Sequence, residues 1–258
     1  MDISDAVGLL VASALGRVAN RVFIVLVPST ELLCGFPRWR WILGVSTQAF
    51  VFPVCVIWAL LTPVGEGVSA LEWLALPAGE LPTGARWYVY ALFASQTRDM
   101  FPMPAEASTT MKVHHWVVVI ACMLSVLSPK AFGLFVVGTF LLEIGSMTYN
   151  LRTLNPQSPA TAAVYQVCMF LSNLAALVCG FLFLQMDDIP VWMKALYFVA
   201  DAGVCIGRQL HALKDGGCLG KRAHKNGVQA APENGAHGAD GGAPSGDKSG
   251  EASDGGSV

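Results

Sequence analysis

Seven stretches of predominantly apolar residues run through the first 213 positions, and each is long enough to cross a lipid bilayer as a helix. About 20 apolar residues span the hydrocarbon core, where every backbone polar group must be bonded within the segment. The pattern therefore predicts an all-α, polytopic membrane bundle of about seven transmembrane helices. The predicted spans are residues 5–27, 41–62, 84–101, 112–128, 131–153, 162–186 and 190–213.

The composition argues against several other classes of protein. Charged residues make up only 13% of the chain, whereas soluble domains carry about a quarter. The near balance of 16 basic and 18 acidic residues provides no positive surface, so no nucleic-acid partner is expected. Seven cysteines occur without a CxxC pair, and only His114 and His115 are embedded, since His211 lies at the end of the last span, so neither a metal site nor a resident cofactor is expected.

The chain divides into three parts. Residues 1–39 are predicted to form an N-terminal helix and a cytosolic loop, and residues 40–213 a six-helix membrane domain. Residues 214–258 are rich in Gly, Ala, Ser and Asp and hold almost nothing that a core could bury. This composition predicts a disordered cytosolic tail.

Two of the spans contain residues that disturb a membrane helix. Arg17, Asn20 and Arg21 interrupt the first span, so it either crosses the membrane, lies at the interface, or packs its basic side against the bundle. Pro53 lies inside the second span and is expected to kink it. Aromatic residues near span ends are expected to be interfacial anchors. They are Trp39, Trp41, Trp87, Tyr88 and Tyr90.

The connecting segments alternate in charge along the chain. Lys and Arg concentrate on the cytosolic side of short loops. Basic residues follow spans one, three, five and seven, whereas acidic residues follow spans two and six. This pattern predicts an outside N-terminus and a cytosolic C-terminus, with Lys130 and Lys194 as exceptions.

Among the ionisable residues of the predicted spans four stand out, namely His114, His115, Glu143 and Asp201. Such a group is costly in the membrane unless it faces a partner or a wet cavity. Uncharged polar residues and one arginine accompany them, and these are Ser146, Asn150, Gln166, Asn173 and Arg208. One interpretation is an intramembrane cavity. The alternative is that these groups only bond to one another and hold helices together, with Asp201 pairing with Arg208 two turns later.

A short link at residues 128–130 forces spans four and five into an antiparallel hairpin, so the depths of their residues can be compared. His115 falls within about one residue of the depth of Glu143. Glu143, Ser146 and Asn150 recur at i, i+3 and i+7 and share one helix face. Because adjacent residues point about 100° apart on a helix, at most one of the two histidines is expected to face a shared cavity, and depth favours His115.

Two segments resemble the TLC-domain family, which includes ceramide synthases and translocating-chain-associating proteins. Residues 111–120 (MKVHHWVVVI) resemble its paired-histidine segment, and residues 141–152 (LLEIGSMTYNLR) resemble the glutamate helix that follows. With the six-helix core, the resemblance covers residues 40–213. It implies a membrane protein concerned with lipid composition, most often in the endoplasmic reticulum, with the plasma membrane as a second compartment.

The sequence also departs from the ceramide synthase pattern. Residues 136–140 (VVGTF) are non-acidic where those enzymes carry aspartates before the glutamate. The aspartate usual after the aromatic stretch of the third span is displaced, with Ala91 after residues 87–90 and Asp99 further along. The chain is therefore more similar to the small branch of the family that consists of the TLC domain alone.

These observations lead to two functional hypotheses. The first is a protein that binds or handles membrane lipids, in which a cavity is formed by His115, Glu143, Ser146, Asn150 and Asp201. The second is a ceramide-synthase-like N-acyltransferase of the sphingolipid class, with acyl-CoA as co-substrate. There His114, His115 and Glu143 would be catalytic, a histidine acting as general base or acyl acceptor. Membrane lipids are the expected partners, and a homo-oligomer is compatible with either hypothesis.

Overall fold

The computed structural model describes residues 3–28, 31–100 and 109–214, apart from the side chain of Thr110. The tail predicted to be disordered lies, beyond Lys214, outside the described residues. The fold is almost entirely helical. Its helices are α1 Ile3–Leu26, α2 Arg38–Ser46, α3 Phe52–Leu61, α4 Ala70–Ala75, α5 Thr83–Met100, α6 Thr109–Leu127, α7 Phe132–Leu154, α8 Pro159–Gln185 and α9 Val191–Leu213, and the two-residue strands β1 Leu32–Leu33 and β2 Phe36–Pro37 pair antiparallel.

The seven apolar stretches of the sequence coincide with helices to within a turn. The second stretch corresponds to α2 and α3 together, which form one continuous rod. Among the described residues, four helices are both long and apolar enough to cross a membrane. They are α1, the rod Arg38–Leu61, α7 and α8. Helix α6 is apolar but shorter, and α5 and α9 carry several charged side chains along their length.

A π-helical segment, Thr47–Val51, joins α2 to α3 immediately before Pro53. Proline has no N–H and its ring collides with the carbonyl of the preceding turn, so a regular α-helix cannot continue through it. The wider turn restores a hydrogen bond, from the N–H of Phe52 to the carbonyl of Thr47. The disturbance expected at Pro53 therefore takes the form of a π segment, a feature often found at functional sites.

Helix α7 lies between α8 and α2, while α5 packs against α1, α3 and α6. The centre of the core is aromatic, and Phe52 meets the fully buried Tyr88 edge to face, with ring centroids 5.3 Å apart. Gly84 lets α5 approach α3 closely, because a Cβ there would lie 2.8 Å from the carbonyl oxygen of Cys55. The expectation of interfacial anchors is wrong for Tyr88, Tyr90 and Trp41, which are all buried.

Helix α1 lies along α5 on the outside of the bundle. Tyr90 donates a hydrogen bond to Asp5 Oδ1 at 2.6 Å, and Gly16 leaves room for Ala94. Arg17 and Arg21 lie on the exposed side of α1. The alternative in which the basic side of this helix packs against the bundle is therefore wrong.

An ion pair joins the loop between α6 and α7 to the loop between α8 and α9. Lys130 Nζ donates to Asp188 Oδ2 at 2.7 Å. This hydrogen bond raises the pKa of Lys130 and lowers the pKa of Asp188. Lys130 is one of the two exceptions to the predicted charge pattern, and its charge is balanced by a neighbouring acid.

Candidate functional site

A cavity of about 160 Å³ lies between six helical segments, in the half of the bundle where α2 begins and α5 ends. We call this half the basic end, because Arg40 and Arg98 lie there, and we call the cavity the polar cavity. Helix α1 contributes nothing to its wall. The lining residues are Gly44, Gln48, Ser95, Gln96, Arg98, Asp99, Met111, His114, His115, Glu143, Ser146, Tyr149, Asn150, Tyr165, Met169, Gly207, Arg208 and His211.

The carboxylate of Glu143 is the centre of a hydrogen-bond chain in this cavity. Its side chain is buried, with 5% of the residue exposed. Gln48 Nε2 donates to one carboxylate oxygen at 2.6 Å, and Gln96 Nε2 donates to the other at 3.4 Å. Both oxygens therefore have an amide partner, as a buried acid requires.

The chain continues in both directions from the two glutamines. Asn150 Nδ2 donates to Gln48 Oε1 at 2.8 Å, and Gln96 Oε1 is in close contact with His115 Nδ1. Each glutamine turns its Nε2 toward Glu143, which leaves its Oε1 as the acceptor for the next residue of the chain. Gln96 then presents an acceptor to His115.

This orientation assigns the tautomer of the His115 imidazole. Nδ1 carries the proton, because its partner Gln96 Oε1 is an acceptor. Nε2 is then the ring nitrogen that carries the lone pair. A neutral imidazole with a free Nε2 can accept a proton or a hydrogen bond from a molecule in the cavity.

Both members of the histidine pair line the cavity, with ring centroids 5.5 Å apart. The expectation that only His115 faces it is therefore wrong for His114. The Nδ1 atom of His114 is buried and has no hydrogen-bond partner among the described residues. Since adjacent helical positions diverge by about 100°, the two rings line different parts of the wall.

Arg208 joins α9 to α7 and α8 at one side of the cavity. Its guanidinium donates to Ser146 Oγ at 2.7 Å, to the carbonyl of Leu142 at 2.7 Å and to Asn173 Oδ1 at 3.1 Å. Gly145 makes this approach possible, because a Cβ there would lie 2.7 Å from an Arg208 nitrogen. The predicted pairing of Arg208 with Asp201 is wrong.

Asp201 is the one predicted cavity residue that the structure separates from the others. It lines a second cavity of about 180 Å³, which lies between α6, α7 and α9 in the other half of the bundle. We call this the apolar cavity. The structure thus brings His114, His115, Glu143, Ser146 and Asn150 together, and it places Asp201 elsewhere.

A cluster of charged side chains lies at the polar cavity, and Arg98 and Asp99 form part of its wall. Arg98 donates two hydrogen bonds to the carboxylate of Asp99, at 2.9 and 3.0 Å, and Arg40 lies 3.6 Å from the same carboxylate. Arg40 also lies over the ring of Phe36, 4.6 Å from its centroid. The cluster borders a side pocket of about 60 Å³, which His115 lines as well.

Two functional candidates were missed at the level of the sequence, namely Gln48 and Gln96. Each is an amide inside an otherwise apolar stretch, which is the signal that could have singled them out. Their contacts with Glu143 join residues 95 and 47 positions apart, so chain spacing gives no indication of them.

Within the residues described, no group of three or more His, Cys, Asp or Glu side chains is arranged to hold a metal ion. Comparisons of the chain with protein-family models, with curated proteins and with solved structures find no match. The geometry of the two cavities is therefore the basis for an argument about function.

Proposed function

We propose that this chain is a multi-pass membrane protein that binds a lipid, with the headgroup in the polar cavity and the hydrocarbon chain in the apolar cavity. In this proposal the seven long helices all cross the bilayer, and the basic end faces the cytosol. The apolar surface of the helices suits hydrocarbon, since many large side chains such as Leu10, Phe50 and Phe170 are exposed.

The observation that carries the proposal is the stacking of the two cavities along the same three helices. On α7, Leu142 lines the apolar cavity and the next residue, Glu143, lines the polar one. On α9, Val204 and Gly207 line them in turn, less than one helical turn apart. A polar compartment directly followed by an apolar one matches the shape and chemistry of an amphiphile.

The polar compartment supplies the groups that a lipid headgroup would need. With Nδ1 protonated, His115 has an acceptor at Nε2, and Arg98 and Asp99 contribute charged groups to the wall. The two segments at 111–120 and 141–152 that resemble the TLC-domain family both border this compartment. We therefore include membership of that family, and location in the endoplasmic reticulum, in the proposal.

A second candidate is an N-acyltransferase reaction with acyl-CoA, favoured by the tautomer of His115. A free Nε2 can remove a proton from an attacking amine, or attack the thioester carbonyl itself and release CoA as the thiol. Gln96 would hold the tautomer. Against this candidate stands the segment 136–140, which supplies no carboxylate.

The test of the lipid proposal is extraction and mass spectrometry of lipids from the purified protein. Wild type is expected to retain a defined lipid after extensive detergent exchange, and Glu143→Leu is expected to lose it, because the hydrogen-bond chain of the headgroup site is broken. Glu66→Gln changes an exposed acid in a loop and is the control that retains the lipid. Equal retention of one lipid class by wild type and Glu143→Leu would contradict the proposal.

The enzymatic candidate has its own test. The purified protein is incubated with palmitoyl-CoA and a long-chain amine, and free CoA and amide are quantified. Amide formation that is lost in His115→Ala and unchanged in Glu66→Gln would support catalysis. Amide at background level in wild type would leave the non-enzymatic proposal as the better one.

A further inference from the structure

We propose that Asp201 is a second polar anchor, within the apolar cavity, for a hydrogen-bond donor carried on the hydrocarbon part of the ligand. The donor is a hydroxyl or a protonated amine. This inference rests on the proposed lipid function and adds to it a statement about the class of lipid.

The surroundings of Asp201 contain almost nothing that can bond to its carboxylate. Oδ2 is buried and has no hydrogen-bond partner among the residues described. Oδ1 is 3.8 Å from the thiol sulfur of Cys205, a weak donor. A carboxylate oxygen that is buried without a partner is costly to the folded state, so its presence calls for an explanation.

The wall of the apolar cavity does not supply that partner. Its described lining contains no Lys, Arg or His, and Arg208 is occupied by other acceptors. The hydroxyls of Ser125 and Thr139 donate to nearby backbone carbonyls, of Cys122 at 2.9 Å and of Phe135 at 2.7 Å, and Tyr197, which also lines the cavity, makes no hydrogen bond to Asp201 Oδ2. A molecule in the cavity can supply the partner that Asp201 Oδ2 lacks among the described residues.

The neighbouring helix leaves space for this carboxyl group. A Cβ on Gly180 would lie 2.5 Å from Asp201 Oδ2, so glycine is the residue that fits beside it. The terminal torsion of aspartate is broad, which allows either oxygen to turn toward the cavity that the residue lines. Asp201 thus lies at the wall of the apolar cavity, and no strong hydrogen bond from a described residue fixes its carboxyl group.

The position of Asp201 also specifies where the donor lies on the ligand. Asp201 precedes Arg208 by seven residues on α9, which is a rise of about 10 Å. A headgroup at the level of Arg208 and a donor at the level of Asp201 would be separated by roughly this distance along the ligand. Simple saturated chains have no group there, so a hydroxylated or amine-bearing amphiphile is the expected class.

The experiment uses three probes of equal chain length: 1-decanol, decylammonium and decyl methyl ether, of which the ether lacks a donor. Each is added at the same mole fraction to the full chain in dodecyl maltoside, and the apparent affinity is obtained from the rise of the thermal midpoint. Wild type is expected to bind decanol and decylammonium about fivefold more tightly than the ether, the value of one hydrogen bond. Asp201→Leu is expected to bind all three equally.

Asp201→Asn keeps a hydrogen-bond acceptor without the charge. It is expected to retain the preference for decanol over the ether and to lose the preference for decylammonium over the ether, and it serves as the test if the Leu variant does not fold. Glu66→Gln is the control that behaves as wild type. Equal binding of the three probes by wild type, or a preference for decanol that survives in Asp201→Leu, would overturn the inference.

The outcome is separable from that of the lipid proposal. A retained lipid without a donor preference would leave the proposed function in place and remove only the role of Asp201. A donor preference without any retained lipid would support the role of Asp201 and contradict the larger proposal.

Discussion

The polar and apolar cavities share helices α6, α7 and α9, yet each contains a carboxylate with a different environment. Glu143 receives a hydrogen bond on each oxygen, from Gln48 and Gln96, whereas within the described part of the chain Asp201 has only the weak thiol contact of Cys205. The first acid is organised before any ligand arrives, and the second lacks a partner until one does. Burial alone therefore does not define a site, because the hydrogen-bond partners of an acid decide what it can do.

The difference has a structural origin in the elements that reach only the polar half. The π segment carries Gln48 and the end of α5 carries Gln96, and both face α7 at the basic end. In the other half, α6 and α9 line the cavity with apolar side chains such as Leu124 and Leu196. Four predictions test this contrast, in order of decreasing effect.

The largest effect is expected for Glu143→Leu. Removing the carboxylate leaves the buried amides of Gln48 and Gln96 without their acceptor, and each unsatisfied donor is costly. The free energy of unfolding should fall by about 3 kcal/mol, measured by SDS titration of the protein in micelles. A loss below about 1 kcal/mol would show that the hydrogen-bond chain is not required for the fold.

Gly180→Ala is expected to destabilise the protein by roughly 1 to 2 kcal/mol, because its Cβ would lie 2.5 Å from Asp201 Oδ2 and the carboxyl group must turn away. Combined with Asp201→Ala the same change should cost much less, since the collision is removed. A double-mutant cycle with both alanines measures this coupling. Additive effects would mean that the carboxyl does not lie against Gly180.

Asp201→Leu is expected to act in the opposite direction from Glu143→Leu. Without ligand, the change removes a carboxyl group that has no partner and adds apolar volume to an apolar wall, so stability should rise by about 1 kcal/mol. The same SDS titration measures it, on protein from which lipid has been exchanged for detergent. A loss as large as that of Glu143→Leu would show that the two acids are equivalent.

The smallest effect concerns the exposed pair of Lys130 and Asp188, which lies outside both cavities. Because the pKa of Asp188 is lowered in the folded state, the contribution of the pair to folding stability is present at neutral pH. It is lost as the pH falls from about 4 through the lowered pKa. The thermal midpoints of wild type and Lys130→Gln should differ slightly at neutral pH and converge on acidification, and a constant difference would contradict the assignment.

The helices and one polar stripe could be predicted from the sequence because both depend on local periodicity. Apolar length located every long helix, and the i, i+3, i+7 spacing placed Glu143, Ser146 and Asn150 on one wall. The short hairpin between α6 and α7 allowed the depth of His115 to be compared with that of Glu143. These inferences use rise per residue and connection length alone.

Contacts between distant segments could not be predicted in the same way. Arg208 and Asp201 share a helix face, but they are separated by about 10 Å along it, and closer acceptors on α7 and α8 take the guanidinium. Tyr88 lies near the end of an apolar stretch, yet it faces the core because α3 and α7 pack on that side. The orientation of a face depends on neighbours that single-chain periodicity does not reveal.

The hydrogen bond between Asp5 and Tyr90 links residues 85 positions apart, and this has a consequence for biogenesis. If α1 enters the bilayer as it is synthesised, its carboxyl group is without its partner until the ribosome has passed Tyr90. Membrane insertion of the first helix is then costly until the later one arrives, and a chaperone or the translocon itself must shelter that acid in the interval.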